Sequence, residues 1–343
     1  MAVLRDGEPR HRRDGLLDDA AGASGVGRPV QRLEAAERHS VVAADASAAT
    51  VRSQRRLAVL GSPIEHSLSP LLHNAAYTTL GLPWQYDRAE VGSGELLPFL
   101  QGLGDDWLGL SLTMPLKREV IAYLDEVTPL VNELQVANTL RFASGRSSGT
   151  RVLQGANTDV WGIEQALREA GIERLESAEV IGSGATALSS LRALADLGAR
   201  SVRLHARTPE HAGELVDRAA DWGVTVDVVT LTGGELALTA PAVVSTLPAH
   251  AADAIEPRLG STGDVLLDVA YDPWPSTLAT RWQAIGGTAV SGIEMLLWQA
   301  VAQVRFFVFG DDTRELPDEP TIVRAMRAVL PPNGMPPGDL PRP

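Results

Sequence analysis

From residue 55 onward, short apolar runs alternate with longer stretches whose apolar positions recur at helical spacing. The short runs end at glycine, proline or polar residues, which is typical of buried strands, and the longer stretches are typical of helices. The predicted strands lie within 55–61, 107–115, 178–184, 199–207, 239–249 and 263–276, and the predicted helices within 69–81, 116–126, 157–171, 185–198 and 292–310. Because strands that alternate with helices favour parallel sheets with right-handed crossovers, the pattern predicts an α/β fold.

The two ends of the chain do not share this pattern. Residues 1–54 are rich in Ala, Arg, Asp and Gly, contain no aromatic residue, and lack the apolar h-region of a signal peptide. We interpret them as a disordered extension or an over-long start of the chain, with a functional arm as the alternative. Residues 331–343 are rich in proline, which predicts a flexible tail.

Length and composition limit the class of protein. The 343 residues suggest two domains with tails, and 44% hydrophobic residues are enough to form normal cores. The net charge of −13 argues against nucleic acid or an anionic membrane as a partner, because both favour basic surfaces. We expect no membrane span, since no apolar run reaches about 18 residues. The absence of cysteine excludes disulfides, thiolate metal sites and a cysteine nucleophile; no metal site is predicted, and a cytoplasmic location fits.

Residues 178–207 have the pattern of a complete βαβ unit with a glycine turn after its first strand. In VIGSGATALSS, Gly182 and Gly184 are followed by Ala185 and Ala187, a degraded form of the G-x-G-x-x-G fingerprint. The strand before it and the helix after it are the context of a dinucleotide site. Gly182 would make the tight turn, and Gly184 would let the backbone approach a pyrophosphate at the helix N-terminus. A glycine turn that binds nothing is the alternative.

The end of the second strand of this unit indicates which dinucleotide is bound. An NAD site usually places an acid there to hold the ribose 2′-hydroxyl, whereas this chain has Arg207 and Thr208. A guanidinium and a hydroxyl suit a 2′-phosphate, so the sequence favours NADP. The alternative is that Arg207 is only a solvated strand end in an arginine-rich chain.

The segment after the first strand carries two serines. Ser67 and Ser69 share one face if the segment is extended, so both hydroxyls can point into one cleft. Alternatively, Ser69 is only the N-cap of the helix predicted over 69–81, and Ser67 is only a turn residue. His66 lies at a loop edge and His73 inside the helix, and a structural role is favoured for both.

Lys117 is the only lysine among 30 basic residues. It lies at the start of the helix predicted over 116–126, where the macrodipole disfavours a cation by about 0.3–1 kcal/mol. Residues that go against a local structural preference in this way are more often found at functional sites. An ammonium can give up a proton, whereas a guanidinium, with a pKa above about 12, cannot do so at neutral pH.

Further polar residues follow the predicted strands near Lys117. Thr113 lies shortly before it, and QVANTL contains Asn138. GANTDVWG contains Asn157, Thr158 and Asp159, one of which we expect to cap the following helix. For Asp159, a pure capping role is the alternative to a role in chemistry.

These motifs resemble those of the shikimate dehydrogenases. The resemblance covers residues 55–310 and rests on motifs that occur in the family's order: GSPIEHSLSPLLHN, SLTMPLKREV, VANTL, GANTDVWG, GSGATA, ART, DVAYDPWPS and GIEMLLWQA. It implies a catalytic pair formed by Lys117 and Asp159. The implied substrate ligands are Ser67, Ser69, Thr113, Asn138, Tyr271 and Gln299, and the implied cofactor ligands are Gly182, Gly184, Ala185, Arg207 and Thr208.

The resemblance also implies an architecture and a reaction. It implies two α/β domains with a cleft between them: a substrate-binding domain over 55–157, completed by about 290–330, and a Rossmann-like NADP-binding domain over 158–289. The implied reaction is the reversible NADPH-dependent reduction of 3-dehydroshikimate to shikimate, on the route to chorismate and the aromatic amino acids. The implied partner is therefore a small-molecule substrate. The sequence does not give the oligomeric state, and a homodimer is left open.

Three rival functions are weighed against this one. An NAD-dependent quinate/shikimate dehydrogenase is disfavoured by Arg207, and a non-catalytic NADP-binding regulator on the same scaffold is disfavoured by the retained Lys117 and Asp159. A related dehydrogenase of amino acids or methylenetetrahydrofolate finds no support in the stretch with Ser67 and Ser69.

Three positions depart from the family pattern. Ser111 and Ala206 stand where Asn is common, and Ala185 stands where a third glycine is common. Ser111 keeps a polar group but puts one substrate hydrogen bond in question. None of the departures affects Lys117 or Asp159.

Overall fold

The computed structural model describes residues 53–144 and 151–331. The extension predicted over 1–54 and the tail predicted over 331–343 therefore lie outside the described residues, apart from Ser53, Gln54 and Pro331.

Strands and helices alternate along the described chain as the pattern predicts. The strands are β1 Arg55–Gly61, β2 Trp84–Glu90, β3 Trp107–Leu112, β4 Glu126–Val127, β5 Thr139–Ser144, β6 Arg151–Ala156, β7 Ser177–Ile181, β8 Ser201–Ala206, β9 Thr225–Thr230, β10 Gly234–Leu238, β11 Ala242–Ser245, β12 Ile255–Leu259, β13 Val265–Asp268 and β14 Thr288–Ser291. The α-helices are α1 Ser69–Leu80, α2 Leu96–Gln101, α3 Leu116–Glu119, α4 Pro129–Leu134, α5 Asp159–Glu169, α6 Ala185–Asp196, α7 Gly213–Asp221, α8 Thr277–Ala284, α9 Gly292–Phe309 and α10 Glu319–Ala328.

Within the described residues, the first six-stranded sheet has the order β2-β1-β3-β5-β6-β4. The prediction of parallel strands is wrong at β5, which runs antiparallel to both β3 and β6. Only residues 145–150 separate β5 from β6, and a parallel pair needs a crossover of about a dozen residues or more. The two strands therefore pair as neighbours in the antiparallel sense.

The second six-stranded sheet has the order β14-β13-β11-β7-β8-β9, and all its strand pairs are parallel. Its first strand along the chain, β7, lies in the middle, and the later strands are added on either side, as in the doubly wound sheet of a Rossmann fold. The strand order reverses between β7 and β11. Ligands of such sheets bind outside the carboxyl ends of the strands at this point. Gly182 follows β7 and Thr246 follows β11, so these residues border the crevice.

The helix predicted over 116–126 is shorter than expected. It forms α3 and then a 3₁₀ turn over Val120–Tyr123. The next residues leave the helix to join the sheet: the Asp125 N–H donates to the Leu153 carbonyl, and the Asp125 carboxylate accepts from the Leu153 N–H. Pairing with the edge of the first sheet thus ends the helix.

Helix α9 closes the fold. It is long and apolar enough to cross a membrane by length and composition, but 78% of it is buried inside the protein. Leu297, Val301 and Phe307 pack in the core that covers β1 and α1. Its close neighbour is α5, because a Cβ added at Gly162 would lie 2.8 Å from the Gln299 Cβ. The crossing of α5 and α9 therefore places Asp159, the first residue of α5, near Gln299.

Candidate active site

A cleft of about 420 Å³ is lined by residues that follow strands of both six-stranded sheets. The second sheet contributes Thr186, Pro248 and Ala249 to its wall. The structure brings together in this cleft every predicted catalytic and substrate-binding residue: Lys117, Asp159, Ser67, Ser69, Thr113, Asn138, Tyr271 and Gln299.

Lys117 and Asp159 form an ion pair in the cleft. The Lys117 Nζ lies 2.6 Å from the Asp159 Oδ2, and the two side chains are 12% and 4% exposed. Thr158 occupies the N-cap position of α5, and Asp159 is the first helical residue. The Oδ1 of Asn157 accepts from the N–H of Asp159 at 3.0 Å. A capping role for Asp159 is therefore wrong, and its carboxylate is available to hold the ammonium.

Asn138 holds the second oxygen of this carboxylate. Its Oδ1 accepts from the Thr158 N–H at 2.9 Å, which fixes the orientation of the amide. Its Nδ2 then donates to the Asp159 Oδ1 at 2.9 Å and faces the Gln299 Oε1 at 3.3 Å. Because Asn138 is buried, the carboxylate has one position, with a cation on one oxygen and an amide on the other.

Tyr271 and Gln299 supply further polar groups to the cleft. Burial raises the pKa of Tyr271 to about 12, so its hydroxyl keeps its proton and can donate at neutral pH. The Gln299 Nε2 donates to the Leu296 carbonyl at 2.9 Å, which orients the amide in the wall formed by α9.

Ser67 and Ser69 lie side by side at the entry to α1, and Thr113 follows β3. The prediction that Ser69 caps α1 is wrong: Leu68 occupies the cap position and Ser69 is the first helical residue. The Ser69 N–H instead points to the Ser67 Oγ at 3.4 Å. The helix thus begins one residue earlier than the cap prediction requires, with Pro70 in its first turn, where no intrahelical N–H is needed.

The glycine turn after β7 has the geometry of a dinucleotide site. Gly182 has φ +111°, and a Cβ there would overlap the Thr246 hydroxyl. Gly184 is the cap residue of α6, and no described atom lies within 4 Å of where its Cβ would stand. Ala185 begins α6, and the next residue, Thr186, lines the cleft. The open backbone at the start of α6 thus fits a pyrophosphate that extends towards the cleft.

Arg207 and Thr208 lie outside the cleft lining, at the carboxyl end of β8, the strand beside β7. Arg207 is exposed and makes no ion pair with the residues that the structure describes. Thr208 is half-buried and leads into a 3₁₀ turn over Pro209–His211. An unpaired guanidinium one strand away from the glycine turn fits the 2′-phosphate of NADP.

A buried carboxylate lies beneath this surface. The Glu179 Oε2 is 2.6 Å from the His205 Nε2, and its Oε1 accepts from the N–H groups of Thr239 and Ala240. Burial acts to raise the pKa of Glu179, but the hydrogen bonds from His205, Thr239 and Ala240 outweigh it, so this pKa lies below its ordinary value. The carboxylate ties β7, β8 and the end of β10 together.

The sequence reasoning missed Gln303, which lines the cleft, and proposed no site role for His66 or Ser111, which line it as well. Gln303 follows Gln299 by four residues, so helical spacing alone could have placed both on one face of α9. His66 lies at the cleft with its Nδ1 3.5 Å from the Asp272 Oδ2. Ser111 also lines the cleft, but its hydroxyl already contacts Gln303 and Tyr86.

Comparisons with known proteins relate this chain to proteins of known activity. Residues 59–140 match the family model of the shikimate dehydrogenase substrate binding domain. The chain is 31% identical over 259 residues to a shikimate dehydrogenase (NADP(+)) of Desulfitobacterium hafniense (strain Y51), a match that covers 74% of this chain and 92% of the relative. It is 36% identical over 296 residues to the pentafunctional AROM polypeptide of Malassezia globosa, where the match covers 80% of this chain but only 18% of that longer protein. A solved shikimate 5-dehydrogenase from Mycobacterium fortuitum superposes with a TM-score of 0.65 at 39% identity, covering 82% of this chain and 99% of the other.

Proposed function

The chain belongs to the shikimate dehydrogenase family, and on that premise we propose that it catalyses the reversible NADPH-dependent reduction of 3-dehydroshikimate to shikimate. This reaction lies on the route to chorismate and the aromatic amino acids. The observation that carries the proposal is the ion pair of Lys117 and Asp159, 2.6 Å apart in a cleft bordered by both sheets.

We assign the proposed roles residue by residue. Lys117 and Asp159 are the catalytic pair. The substrate ligands are Ser67, Ser69, Thr113, Asn138, Tyr271 and Gln299. The substrate-binding domain spans 55–157 with about 290–330, and the NADP-binding domain spans 158–289.

The chemistry follows from where charge develops. Hydride addition to a ketone places negative charge on the carbonyl oxygen, which needs a proton donor aimed at it. NADPH, when bound, supplies the hydride. The Lys117 ammonium would donate its proton to that oxygen, while Asp159, itself held by Asn138, keeps the ammonium in position. The cleft wall would exclude water and so strengthen these interactions.

The cofactor ligands in this proposal are Gly182, Gly184, Ala185, Arg207 and Thr208. The open backbone at Gly184 would approach the pyrophosphate at the start of α6. The exposed guanidinium of Arg207 and the hydroxyl of Thr208 would hold the 2′-phosphate, which distinguishes NADP from NAD.

A steady-state absorbance assay of the reduced nicotinamide tests the proposal, with shikimate or quinate as substrate and NADP⁺ or NAD⁺ as cofactor. We expect the highest kcat/KM with shikimate and NADP⁺. Preference for quinate and NAD⁺ would instead assign the chain to the catabolic quinate/shikimate dehydrogenases. Tight NADPH binding without turnover of either substrate would indicate a non-catalytic regulator.

A homodimer and a cytoplasmic location are the remaining parts of the proposal. Light scattering on the purified protein tests the first, since a dimer gives the mass of two chains. Fractionation of the source cells tests the second.

A further inference from the structure

A network of hydrogen-bonded, buried polar side chains lies behind the wall of the cleft. His73 on α1 contacts Gln303 on α9, with 3.1 Å between the His73 Nε2 and the Gln303 Oε1. The Ser111 Oγ lies 2.8 Å from the same oxygen, and the Tyr86 hydroxyl lies 2.6 Å from the Ser111 Oγ. The His73 Nδ1 is 3.1 Å from the Tyr77 hydroxyl. Gln303 and Ser111 line the cleft, whereas the other three residues support them from behind.

The donor and the acceptor of each hydrogen bond in this network can be derived. One end of the Gln303 amide lies 3.3 Å from the Asn138 carbonyl oxygen, which can only accept. The amide nitrogen must therefore face Asn138, and the amide oxygen must face His73 and Ser111. Consequently Ser111 donates to Gln303, and the Tyr86 hydroxyl donates to Ser111.

The same argument gives the protonation state and the tautomer of His73. Burial lowers the pKa of His73 to about 3, so the ring is neutral near neutral pH. Because Gln303 presents an acceptor, the single ring proton is on Nε2, and Nδ1 accepts from the Tyr77 hydroxyl. The ring also stacks on Tyr86 at a centroid distance of 4.0 Å and an angle of 4°. His73 is thus held in one tautomer and one orientation.

One N–H group of Gln303 has no acceptor in this network. The Gln303 amide has two N–H bonds, of which one is directed to the Asn138 carbonyl, and the second has no acceptor among the described residues. Gln303 is 1% exposed and lines the cleft, and a buried N–H without a partner costs free energy unless a ligand satisfies it.

We propose that Gln303 binds an oxygen of the cyclic polyhydroxy acid in the cleft through this second N–H, and that His73 is the positioning residue that holds the amide in the donating orientation. This inference rests on the proposed function. The amide oxygen is occupied by His73 and Ser111, so Gln303 can offer the substrate only a donor. A ring hydroxyl or carboxylate oxygen is the acceptor that such a substrate provides.

Two substitutions of His73 test the positioning role. In His73→Gln, the amide nitrogen stands where Nε2 stands and can still donate to Gln303. In His73→Asn, the amide reaches only the position of Nδ1, so Gln303 loses the hydrogen bond from α1 and keeps only Ser111 as a donor to its oxygen. We expect His73→Gln to keep KM for shikimate within a few-fold, and His73→Asn to raise it by about 10-fold or more, the equivalent of one hydrogen bond. KM for NADP⁺ and the pH profile should not change in either variant.

Gln303→Met tests the substrate contact directly. It keeps the length of the side chain and removes the amide, including the free N–H, so KM for shikimate should rise by about 10-fold or more while KM for NADP⁺ stays the same. Thermal melting of each variant shows whether the fold is kept, and Gln303→Met decides the test if His73→Asn does not fold.

Three results would overturn the inference. The first is an equal KM for shikimate in His73→Gln and His73→Asn. The second is an unchanged KM for shikimate in Gln303→Met. The third is an equal rise in the KM values for shikimate and NADP⁺. If wild-type protein does not oxidise shikimate, the proposed function fails and this inference fails with it. If the wild type is active but the variants behave like it, only the inference fails.

Discussion

At the scale of single residues, the proton donation proposed for Lys117 is a role that arginine cannot take over. Lys117→Arg keeps the positive charge beside Asp159 but removes a group that can release a proton at neutral pH. We predict a loss of kcat by about 10²-fold or more, with an unchanged melting temperature. Steady-state kinetics with shikimate and NADP⁺ measure the loss.

The neighbouring position provides the matched control for this substitution. Arg118 pairs with Glu214 at 2.9 Å on the exposed surface, where an ion pair contributes about 0–1 kcal/mol. Arg118→Lys should therefore keep kcat within about two-fold. A Lys117→Arg enzyme within a few-fold of wild type would show that Lys117 does not act as the proton donor.

The choice between NADP and NAD should depend on Arg207. Arg207→Ser removes the guanidinium from the end of β8, and a hydrogen bond to a charged group contributes about 1.5–3 kcal/mol. We predict that KM for NADP⁺ rises by about 10-fold or more while KM for NAD⁺ is unchanged. Kinetics with both cofactors at saturating shikimate measure this. Parallel changes for the two cofactors would mean that Arg207 does not contact the 2′-phosphate.

Residues with a local signal could be predicted, whereas residues fixed by distant partners could not. Lys117 stood out because it is the only lysine and begins a helix, and Asp159 because three capping residues stood together. His73 gave no comparable signal, since its partner Gln303 lies 230 positions away along the chain. Its role depends on how α1 and α9 pack, which the local pattern does not contain.

At the scale of elements, the glycine turn between β7 and α6 should separate a folding role from a binding role. Gly182→Ala places a Cβ at φ +111° and against Thr246, so we predict a loss of about 1–3 kcal/mol in the free energy of unfolding. Gly184→Ala meets no described atom within 4 Å and has φ −86°, so its free energy of unfolding should be unchanged.

The variants Gly182→Ala and Gly184→Ala also test where the cofactor binds. The methyl group of Gly184→Ala would stand where the backbone is expected to approach the pyrophosphate, so KM for NADP⁺ should rise by about 10-fold although the fold is intact. Urea unfolding and cofactor titration of both variants measure the two effects. If Gly184→Ala bound NADP⁺ as wild type does, the pyrophosphate would not lie against this turn.

Six of the fourteen strands and five of the ten α-helices that the structure describes correspond to predicted segments, because these are buried apolar runs or have apolar positions at helical spacing. The other strands and helices had no prediction. The two predictions about elements that are wrong have a common cause. The 3₁₀ turn that ends at Tyr123 and the antiparallel strand β5 are both set by pairing with β6. Strand pairing brings together residues that are distant in sequence, and hydrophobic periodicity within one segment carries no information on its partner.

At the scale of the whole molecule, the cleft depends on two sheets with separate cores. Leu57, Val59 and Val304 lie in one core, whereas Val180, Leu204 and Leu267 lie in another. Helices α5 and α9 cross beside the cleft, and both deliver residues to it. The site is thus assembled by the packing of the two halves, which explains why its members lie between residues 67 and 299 of the sequence.

The stability of the second sheet should depend on pH through Glu179. Its pKa is lowered in the folded protein from an ordinary value of 4.5, so the carboxylate contributes stability above that value, and the contribution is lost as the pH falls through the folded pKa. Glu179→Gln keeps the shape of the side chain but cannot ionise. We therefore predict that the variant is less stable than wild type by about 2 kcal/mol or more near pH 7, and that this difference shrinks below about pH 4.

Urea unfolding of both proteins across this pH range measures the difference. Glu235→Gln is the control, because Glu235 is an exposed carboxylate on β10 that pairs with Arg258 at the surface, where the expected change is below about 1 kcal/mol at any pH. A difference between wild type and Glu179→Gln that stays constant from neutral to acidic pH would mean that the shape of the side chain, and not its charge, holds β7, β8 and β10 together.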